Sequence, residues 1–206
     1  MKYDSIGFDL DGTLWNATEA ITLAWQKTAE IFNARIPDIN DIKGILGLNK
    51  IDLMNKLYPD MEYETQMQFF DKANEICDEV LALQGGQLFD GLEETLKTLQ
   101  KDFRLYIVSN CQDGYIERFL DYHKLGKYFC DSEHPDARCL SKGENIKALL
   151  ERNGFGKSIF VGDTQGDCDA ARFAGIPFVF ASYGFGKADS PDYTINAFPE
   201  IIDIVM

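Results

Sequence analysis

The sequence predicts an α/β protein in which helices cover both faces of a parallel β-sheet. Short runs that are almost entirely apolar recur at residues 105–109, 158–162 and 178–182, and an earlier one begins at Ile6. Strands that are apolar along their whole length are typical of a sheet buried on both faces. Helical patterns separate these runs, as a parallel sheet requires. They are predicted at residues 91–100, 114–122, 143–153 and 168–174.

A second, all-helical region interrupts this alternation. Two long stretches with helical spacing of apolar residues flank two shorter ones, at about residues 20–32, 38–46, 50–57 and 67–81. Gly85 and Gly86 end the region. We therefore predict two domains: a discontinuous α/β core, residues 1–15 and 85–206, and an inserted helical domain, residues 16–84.

The first apolar run ends in two carboxylates spaced i, i+2, Asp9 and Asp11, followed by Gly12. Residues two apart on an extended chain point to the same side, so both carboxylates can face one ligand. One can then attack an electrophile while the other gives a proton to the leaving group. An Asp-Gly pair is also a common turn signal, so both interpretations remain open here. A calcium loop is excluded, because Ala20 stands where its twelfth-position Glu should be.

The charge and composition of the chain limit the kinds of partner that it can bind. The net charge of −14 and the absence of a basic cluster argue against nucleic acid and anionic membranes as partners. No apolar run reaches the roughly 18 residues that a membrane span needs. The N-terminus also lacks a signal-peptide pattern, so we expect a cytoplasmic protein. The sequence leaves the oligomeric state undetermined.

The cysteines and histidines offer little chemistry of their own. The cysteines have no CxxC pair and no zinc spacing, so reduced thiols are expected. His123 and His134 have no Ser or Cys nucleophile in a polar cluster beside them, which argues against triad mechanisms. The five cysteines are Cys77, Cys111, Cys130, Cys139 and Cys168.

Polar residues follow the other apolar runs at the same end. Ser109-Asn110 ends the second run, residues 162–167 contain Asp163 and Asp167 after the third, and Lys142 opens a helix. Each has a structural explanation by itself, as a helix cap or a solvated lysine. Their joint placement favours one ligand site, because such sheets bind ligands at the carboxyl ends of their strands.

In these features the chain resembles the phosphatase branch of the haloacid-dehalogenase superfamily, with a helical cap, similar to phosphoglycolate phosphatases and β-phosphoglucomutases. The resemblance spans essentially the whole chain. Four motifs match in order: residues 9–13, Ser109, Lys142, and residues 162–164 with Asp167. Gly143 stands where many relatives have proline. A Rossmann-like core with an inserted cap is the fold that the resemblance implies.

The resemblance also implies a reaction. Asp9 would form an aspartyl-phosphate, and Asp11 would protonate the leaving oxygen and later activate water. Mg²⁺ would be held by Asp9, the backbone carbonyl of Asp11 and Asp163, with Asp167 either as a further ligand or as an anchor behind the ligands. The phosphoryl oxygens of a small phosphorylated metabolite would be held by Thr13, Ser109, Asn110 and Lys142.

The residues that would choose the substrate lie in the cap. Gly47, Asn49 and Lys50 form the candidate specificity loop, although an ordinary helix-connecting turn explains them as well. A phosphomutase would share every core motif with a phosphatase, so this alternative stays open. A dehalogenase is disfavoured by the acid at Asp11, and a non-catalytic sensor by the presence of every motif carboxylate.

Overall fold

The computed structural model describes residues 2–135 and 140–206. The strands in this part of the chain are β1 Ser5–Phe8, β2 Trp15–Asn16, β3 Gln87–Leu88, β4 Arg104–Val108, β5 Phe129–Glu133, β6 Ser158–Gly162, β7 Phe178–Ala181 and β8 Tyr193–Ile195. The α-helices are α1 Thr18–Ile31, α2 Ile39–Lys43, α3 Lys50–Leu57, α4 Tyr63–Gln84, α5 Leu92–Leu99, α6 Tyr115–His123, α7 Lys142–Asn153, α8 Gln165–Ala174 and α9 Ile201–Val205. Short 3₁₀ helices occupy Gly126–Tyr128 and Phe198–Glu200.

Six strands form one parallel sheet in the order β5-β4-β1-β6-β7-β8. Successive residues of β4 face opposite cores: Leu105 and Ile107 pack in one cluster, Tyr106 and Val108 in the other. The first cluster includes residues of α5, α6 and α9, and the second residues of α7 and α8. The predicted α/β class, with a Rossmann-like parallel sheet covered on both faces, is confirmed.

Two strands of this sheet were not predicted, and both lie at its edges. β5 reads Phe-Cys-Asp-Ser-Glu and is only partly buried, and β8 has three residues. An edge strand pairs on one side only and keeps polar residues, so it lacks the apolar run that reveals a central strand.

The four predicted helices of the inserted region are all present, as α1 to α4. Helix α1 packs along α4. In this contact the ring centroids of Trp25 on α1 and Phe69 on α4 lie 5.5 Å apart. Asp38 and Asn49 cap α2 and α3 with their side chains.

The two connections between this helical region and the sheet run side by side. Strand β2 pairs antiparallel with β3, with Trp15 opposite Leu88. A Cβ on Gly86 would lie 2.7 Å from the ring of Trp15, so the close pairing needs glycine there. The helical region is thus tied to the core by a two-stranded ribbon.

Candidate active site

The predicted site residues converge at the carboxyl edge of the sheet because of the strand order. Strand β1 lies between β4 and β6, so the residues after β1 are flanked by those after the other two. The amide of Asp9 donates to the carbonyl of Val161 at 2.8 Å, which joins the end of β1 to β6. Lys142 reaches the same place from the first residue of α7.

Lys142 connects two of the buried carboxylates. Its Nζ donates to Oδ1 of Asp9 and to Oδ1 of Asp167, each at 2.5 Å, and all three side chains are buried. Burial lowers the pKa of Lys142, but the carboxylates of Asp167 and Asp9 outweigh this and raise it above its usual value. The lysine therefore carries a positive charge inside the site.

Asp167 is held from its other side by the start of α8. Its Oδ2 accepts from the amide and the hydroxyl of Thr164, at 3.0 and 2.6 Å, in a capping box. Helix α8 consequently begins at Gln165, three residues before the predicted start, and Asp167 lies in its first turn. The carboxylate both caps the helix and faces the site.

Asp163 is fully buried, and only one of its oxygens is hydrogen-bonded. Oδ2 accepts from the amides of Phe185 and Gly186, at 2.7 and 3.3 Å. Oδ1 has no hydrogen-bond partner among the residues that the structure describes. A buried carboxylate oxygen without a partner is costly, which indicates a position for a cation.

Asp9, Asp163 and Asp167 can each offer one oxygen such that the three oxygens lie within 4.8 Å of one another. Burial and the charge of Asp167 raise the pKa of Asp9 to about 6, and burial and the charge of Asp9 raise that of Asp163 to about 8. The ammonium of Lys142 cannot neutralise three carboxylates. The donor set, all oxygen, fits Mg²⁺.

Asp11 lies apart from this cluster. Its Oδ1 accepts from the hydroxyl of Tyr115 at 3.0 Å. Burial, followed by the charge of Asp9, raises the pKa of Asp11 to about 7. Its carboxyl can therefore exchange a proton near neutral pH, as a general acid or base must. A metal contact through its backbone carbonyl stays a prediction.

The remaining predicted phosphate contacts line the same edge. The hydroxyl of Thr13 is buried and has no hydrogen-bond partner in the described part of the chain, while the carbonyl of Thr13 accepts from Tyr183 at 2.9 Å. Ser109 is buried after β4. The amide group of Asn110 donates to the carbonyl of Gly47 at 3.0 Å. These contacts leave the hydroxyl of Thr13 available to a ligand.

The structure separates the three predicted specificity residues. Gly47 lies over the core, because a Cβ there would be 3.6 Å from Thr164 and its carbonyl meets Asn110. The side chain of Asn49 caps α3, and Lys50 pairs with Asp71 at 2.9 Å. A role in substrate choice stays a prediction for all three.

Sequence reasoning missed the residues that hold the carboxylates in place. Tyr115 and the backbone amides of Phe185 and Gly186 are among them. Residues 183–186 read Tyr-Gly-Phe-Gly just after β7, at the same edge of the sheet, which is the signal that could have indicated them.

Other expectations concern groups away from the site. Cys77, Cys111, Cys130 and Cys168 are free thiols, while Cys139 lies outside the described residues. Burial raises the pKa of Cys77 to about 12 and that of Cys111 well above its usual range, so neither is a ready nucleophile. Among the described helices, none combines the length and apolar character needed to cross a membrane.

Comparison with known proteins agrees with this geometry. The family model described as haloacid dehalogenase-like hydrolase matches residues 6–181. Pyrophosphatase PpaX of Halalkalibacterium halodurans is 25% identical, over 100% of this chain and 98% of its own length. The phosphoglycolate phosphatase of Aquifex aeolicus is 26% identical, over 96% and 94%. The crystal structure of a predicted phosphoglycolate phosphatase from Haemophilus somnus superposes with a TM-score of 0.89 at 21% identity, covering 100% and 99%.

The match of one family model across most of the sheet and all of the candidate site defines the class. The chain belongs to the haloacid dehalogenase-like hydrolases. It is an enzyme of the phosphatase branch of that family.

Proposed function

We propose that the chain is a cytoplasmic, Mg²⁺-dependent phosphatase that hydrolyses a phosphomonoester of a small metabolite through an aspartyl-phosphate on Asp9. One observation carries the proposal. The Asp9 carboxylate at the end of the central strand β1 is bound to Lys142 and lies beside Asp163 and Asp167. This arrangement provides a nucleophile with one cationic side chain beside it and with carboxylates that can hold a metal ion.

Positive charge beside Asp9 is needed because its carboxylate and the phosphate of the substrate repel each other. Two like charges about 4 Å apart repel by roughly 4 kcal/mol at an effective dielectric constant near 20, so a carboxylate and a phosphate dianion do not approach unaided. Mg²⁺ held by Asp9, Asp163 and Asp167 would supply positive charge to the phosphoryl oxygens. Lys142 adds a second positive charge from the side of α7.

The reaction has two steps. An oxygen of Asp9 attacks phosphorus, the bond from phosphorus to the leaving oxygen breaks, and that oxygen takes a proton from Asp11. Water then attacks the aspartyl-phosphate while Asp11 takes its proton. Inorganic phosphate leaves, and Asp9 is regenerated. The pKa of Asp11, near 7, suits a group that must act both as acid and as base.

Thr13, Ser109 and Asn110 would bind the phosphoryl oxygens. The case is strongest for Thr13, since a phosphoryl oxygen would give its buried hydroxyl the partner it lacks. Asn110 would contact phosphate while its present partner, Gly47, belongs to the cap. Asn110 could thus couple substrate binding to cap position.

We propose that residues 16–84 act as a lid over this site, with the paired linkers β2 and β3 as its hinge. Among the described residues, two contacts made by side-chain hydrogen bonds join the lid to the core. Asn110 binds Gly47, and the guanidinium of Arg118 on α6 binds Asp78 on α4 through two hydrogen bonds of 2.8 and 2.7 Å. A closed lid excludes water and favours small substrates.

The names of the relatives support hydrolysis of a phosphate group. One is called a pyrophosphatase and another a phosphoglycolate phosphatase, so their named substrates differ although both align with nearly the whole of this chain. A test must therefore use a panel that contains both of these compounds, together with sugar phosphates and nucleoside monophosphates.

The experiment measures phosphate release from this panel with Mg²⁺ and again with EDTA. We expect release that depends on the metal and is strongest for one small ester. Asp9→Asn should lower the rate by at least about a thousandfold, because amide nitrogen is a poor nucleophile. Asp60→Asn, an equal change at an exposed position, should retain the wild-type rate.

Two results would contradict the proposal. Activity retained by Asp9→Asn would remove the nucleophile assignment. Undiminished activity in EDTA after exhaustive dialysis would remove the metal requirement.

A further inference from the structure

Tyr115 is the residue of the core that binds Asp11 directly. It opens helix α6, only 5% of it is exposed, and its hydroxyl donates to Oδ1 of Asp11 at 3.0 Å. Its ring meets that of Trp15 edge-on, with centroids 5.5 Å apart at an interplanar angle of 72°. Trp15 itself follows Asp11 closely in the chain and is fully buried. The phenol is therefore held on two sides.

Tyr115 also lines a cleft beside the start of its helix. A cavity of about 300 Å³ lies between α4 and the start of α6, lined by Tyr115, Asp78, Gln112 and four further polar residues. Tyr115 therefore contacts both this cleft and, through its hydroxyl, the carboxylate of Asp11.

The two oxygens of Asp11 have different surroundings. Oδ1 accepts the hydrogen bond from Tyr115. The indole of Trp15 is a second polar neighbour of the carboxylate, but its Nε1 has no hydrogen-bond partner among the described residues, so it does not bind Oδ2. A carboxyl group bound through one oxygen keeps its rotamer and leaves the other oxygen for proton transfer.

We propose that Tyr115 is a positioning residue for the reaction: it anchors Oδ1 of Asp11 so that Oδ2 carries the proton to the leaving oxygen. This inference rests on the proposed role of Asp11 as acid and base. In the first step the proton moves from Oδ2 to the leaving oxygen, and in the second a proton of water returns to Oδ2. The hydroxyl of Tyr115 keeps its own proton throughout and contacts neither substrate nor phosphate.

A buried hydrogen bond can also be purely structural, and the chain offers a matched example. The hydroxyl of Tyr106 lies 2.8 Å from that of Ser158, buried within the sheet and away from Asp11. Tyr106→Phe removes a buried phenol hydrogen bond of the same kind, and is the control for lost stability alone.

The test compares two esters by their kcat/KM. An alkyl phosphate such as methyl phosphate needs a proton on its leaving oxygen, whereas p-nitrophenyl phosphate releases a stable anion and does not. Since kcat/KM covers only the steps up to leaving-group departure, the later hydrolysis of the aspartyl-phosphate does not enter. General acid catalysis is worth about 10²–10⁴-fold, and misplacing the acid should forfeit part of it.

For Tyr115→Phe we expect kcat/KM to fall by roughly 10- to 100-fold on the alkyl ester and by less than about threefold on p-nitrophenyl phosphate. Tyr106→Phe should keep the wild-type ratio of the two esters, even if its melting temperature falls. Equal losses on both esters, or no loss on the alkyl ester, would overturn the inference.

A second pair of variants separates this inference from the proposed function. Asp11→Asn should itself lose far more on the alkyl ester, and adding Tyr115→Phe should then cost nothing further, because the two residues act as one unit. If Asp11→Asn affects both esters equally, the acid role fails, and the inference fails with it. If Asp11→Asn is selective but Tyr115→Phe is not, the inference alone fails.

Discussion

Asp163 is fixed by close backbone contacts that only glycine permits. A Cβ on Gly184 would lie 2.3 Å from Cβ of Asp163 and 2.5 Å from the carbonyl oxygen of Gly12. Gly12 has φ +81°, and a Cβ on it would meet the same carboxylate at 2.3 Å. Two loops therefore pack closely against Asp163 and restrict the orientation of its side chain.

This close approach makes a prediction for Gly184→Ala. The added methyl group meets backbone and a buried Cβ, so we expect a loss of about 1–3 kcal/mol in the free energy of unfolding. Urea titration followed by circular dichroism measures it. Gly126→Ala is the control, because a Cβ on Gly126 meets nothing within 4 Å. Equal stability of the two variants would show that the loops move apart without cost.

Another glycine explains a departure from the family pattern. A Cβ on Gly143 would lie 2.7 Å from the ring of Phe173 on α8. The ring packs where a larger residue after Lys142 would extend. The absence of a side chain at Gly143 therefore makes room for the ring of Phe173. Lys142 remains the first residue of α7.

At the scale of elements, the linkers between core and helical region pack on the end of α6. His123 lies 5.8 Å from the ring of Trp15 and 5.0 Å from that of Tyr122, and a Cβ on Gly85 would meet the Tyr122 ring at 2.3 Å. Nε2 of His123 is buried without a hydrogen-bond partner. The imidazole is thus held in its neutral form against the ribbon.

His123 should make the folded protein less stable as the pH falls. Burial lowers the pKa of His123 below its usual value of 6.5, so the unfolded chain binds the proton more readily. The stability that neutral His123 contributes to the folded state is fully present above pH 6.5 and is lost as the pH falls below that value. We expect His123→Gln to reduce the drop in unfolding free energy between pH 7.5 and 5.5, as measured in urea.

A residue without a titrating group supplies the control. Gln100 is exposed. Gln100→Asn should retain the wild-type slope. Carboxylates of the site also titrate in this range, so the quantity to compare is each variant's slope relative to wild type. Equal slopes for His123→Gln and wild type would refute the prediction.

At the scale of the whole molecule, part of the negative charge lies inside the fold. The net charge is −14, and Asp9, Asp163 and Asp167 meet inside the fold with Lys142 as their cation among the described residues. Without a further cation the folded state must protonate part of this cluster, as the raised pKa values of Asp9 and Asp163 indicate. Folding and metal binding should therefore be linked.

We expect Mg²⁺ to raise the melting temperature of the protein in the absence of substrate. A ligand at a hundred times its Kd stabilises the native state by about 2.7 kcal/mol. Asp163→Asn should lose most of this shift, while Asp60→Asn keeps it. Thermal scans in Mg²⁺ and in EDTA measure the effect, which needs no activity. A full Mg²⁺ shift in Asp163→Asn would place the ion elsewhere.

The position of the candidate site was predictable because strand ends in a parallel sheet share one edge. Asp9, Lys142, Asp163 and Asp167 follow or face buried strands, and the structure brings them together. Tyr115 and the amides of Phe185 and Gly186 were not predictable in the same way. A phenol at the start of a helix has many uses, and every residue but proline carries an amide.

The sequence by itself determined the class of fold, the four helices of the inserted region and the edge of the sheet at which the carboxylates gather. Hydrophobic periodicity and the direction of parallel strands are local properties that suffice for these. Tertiary packing alone sets which oxygens accept hydrogen bonds: Oδ1 of Asp11 accepts from Tyr115, Oδ2 of Asp163 from the loop after β7, and the carbonyl of Gly47 from Asn110. Such contacts join residues far apart in the chain, and their geometry follows from packing that no local pattern encodes.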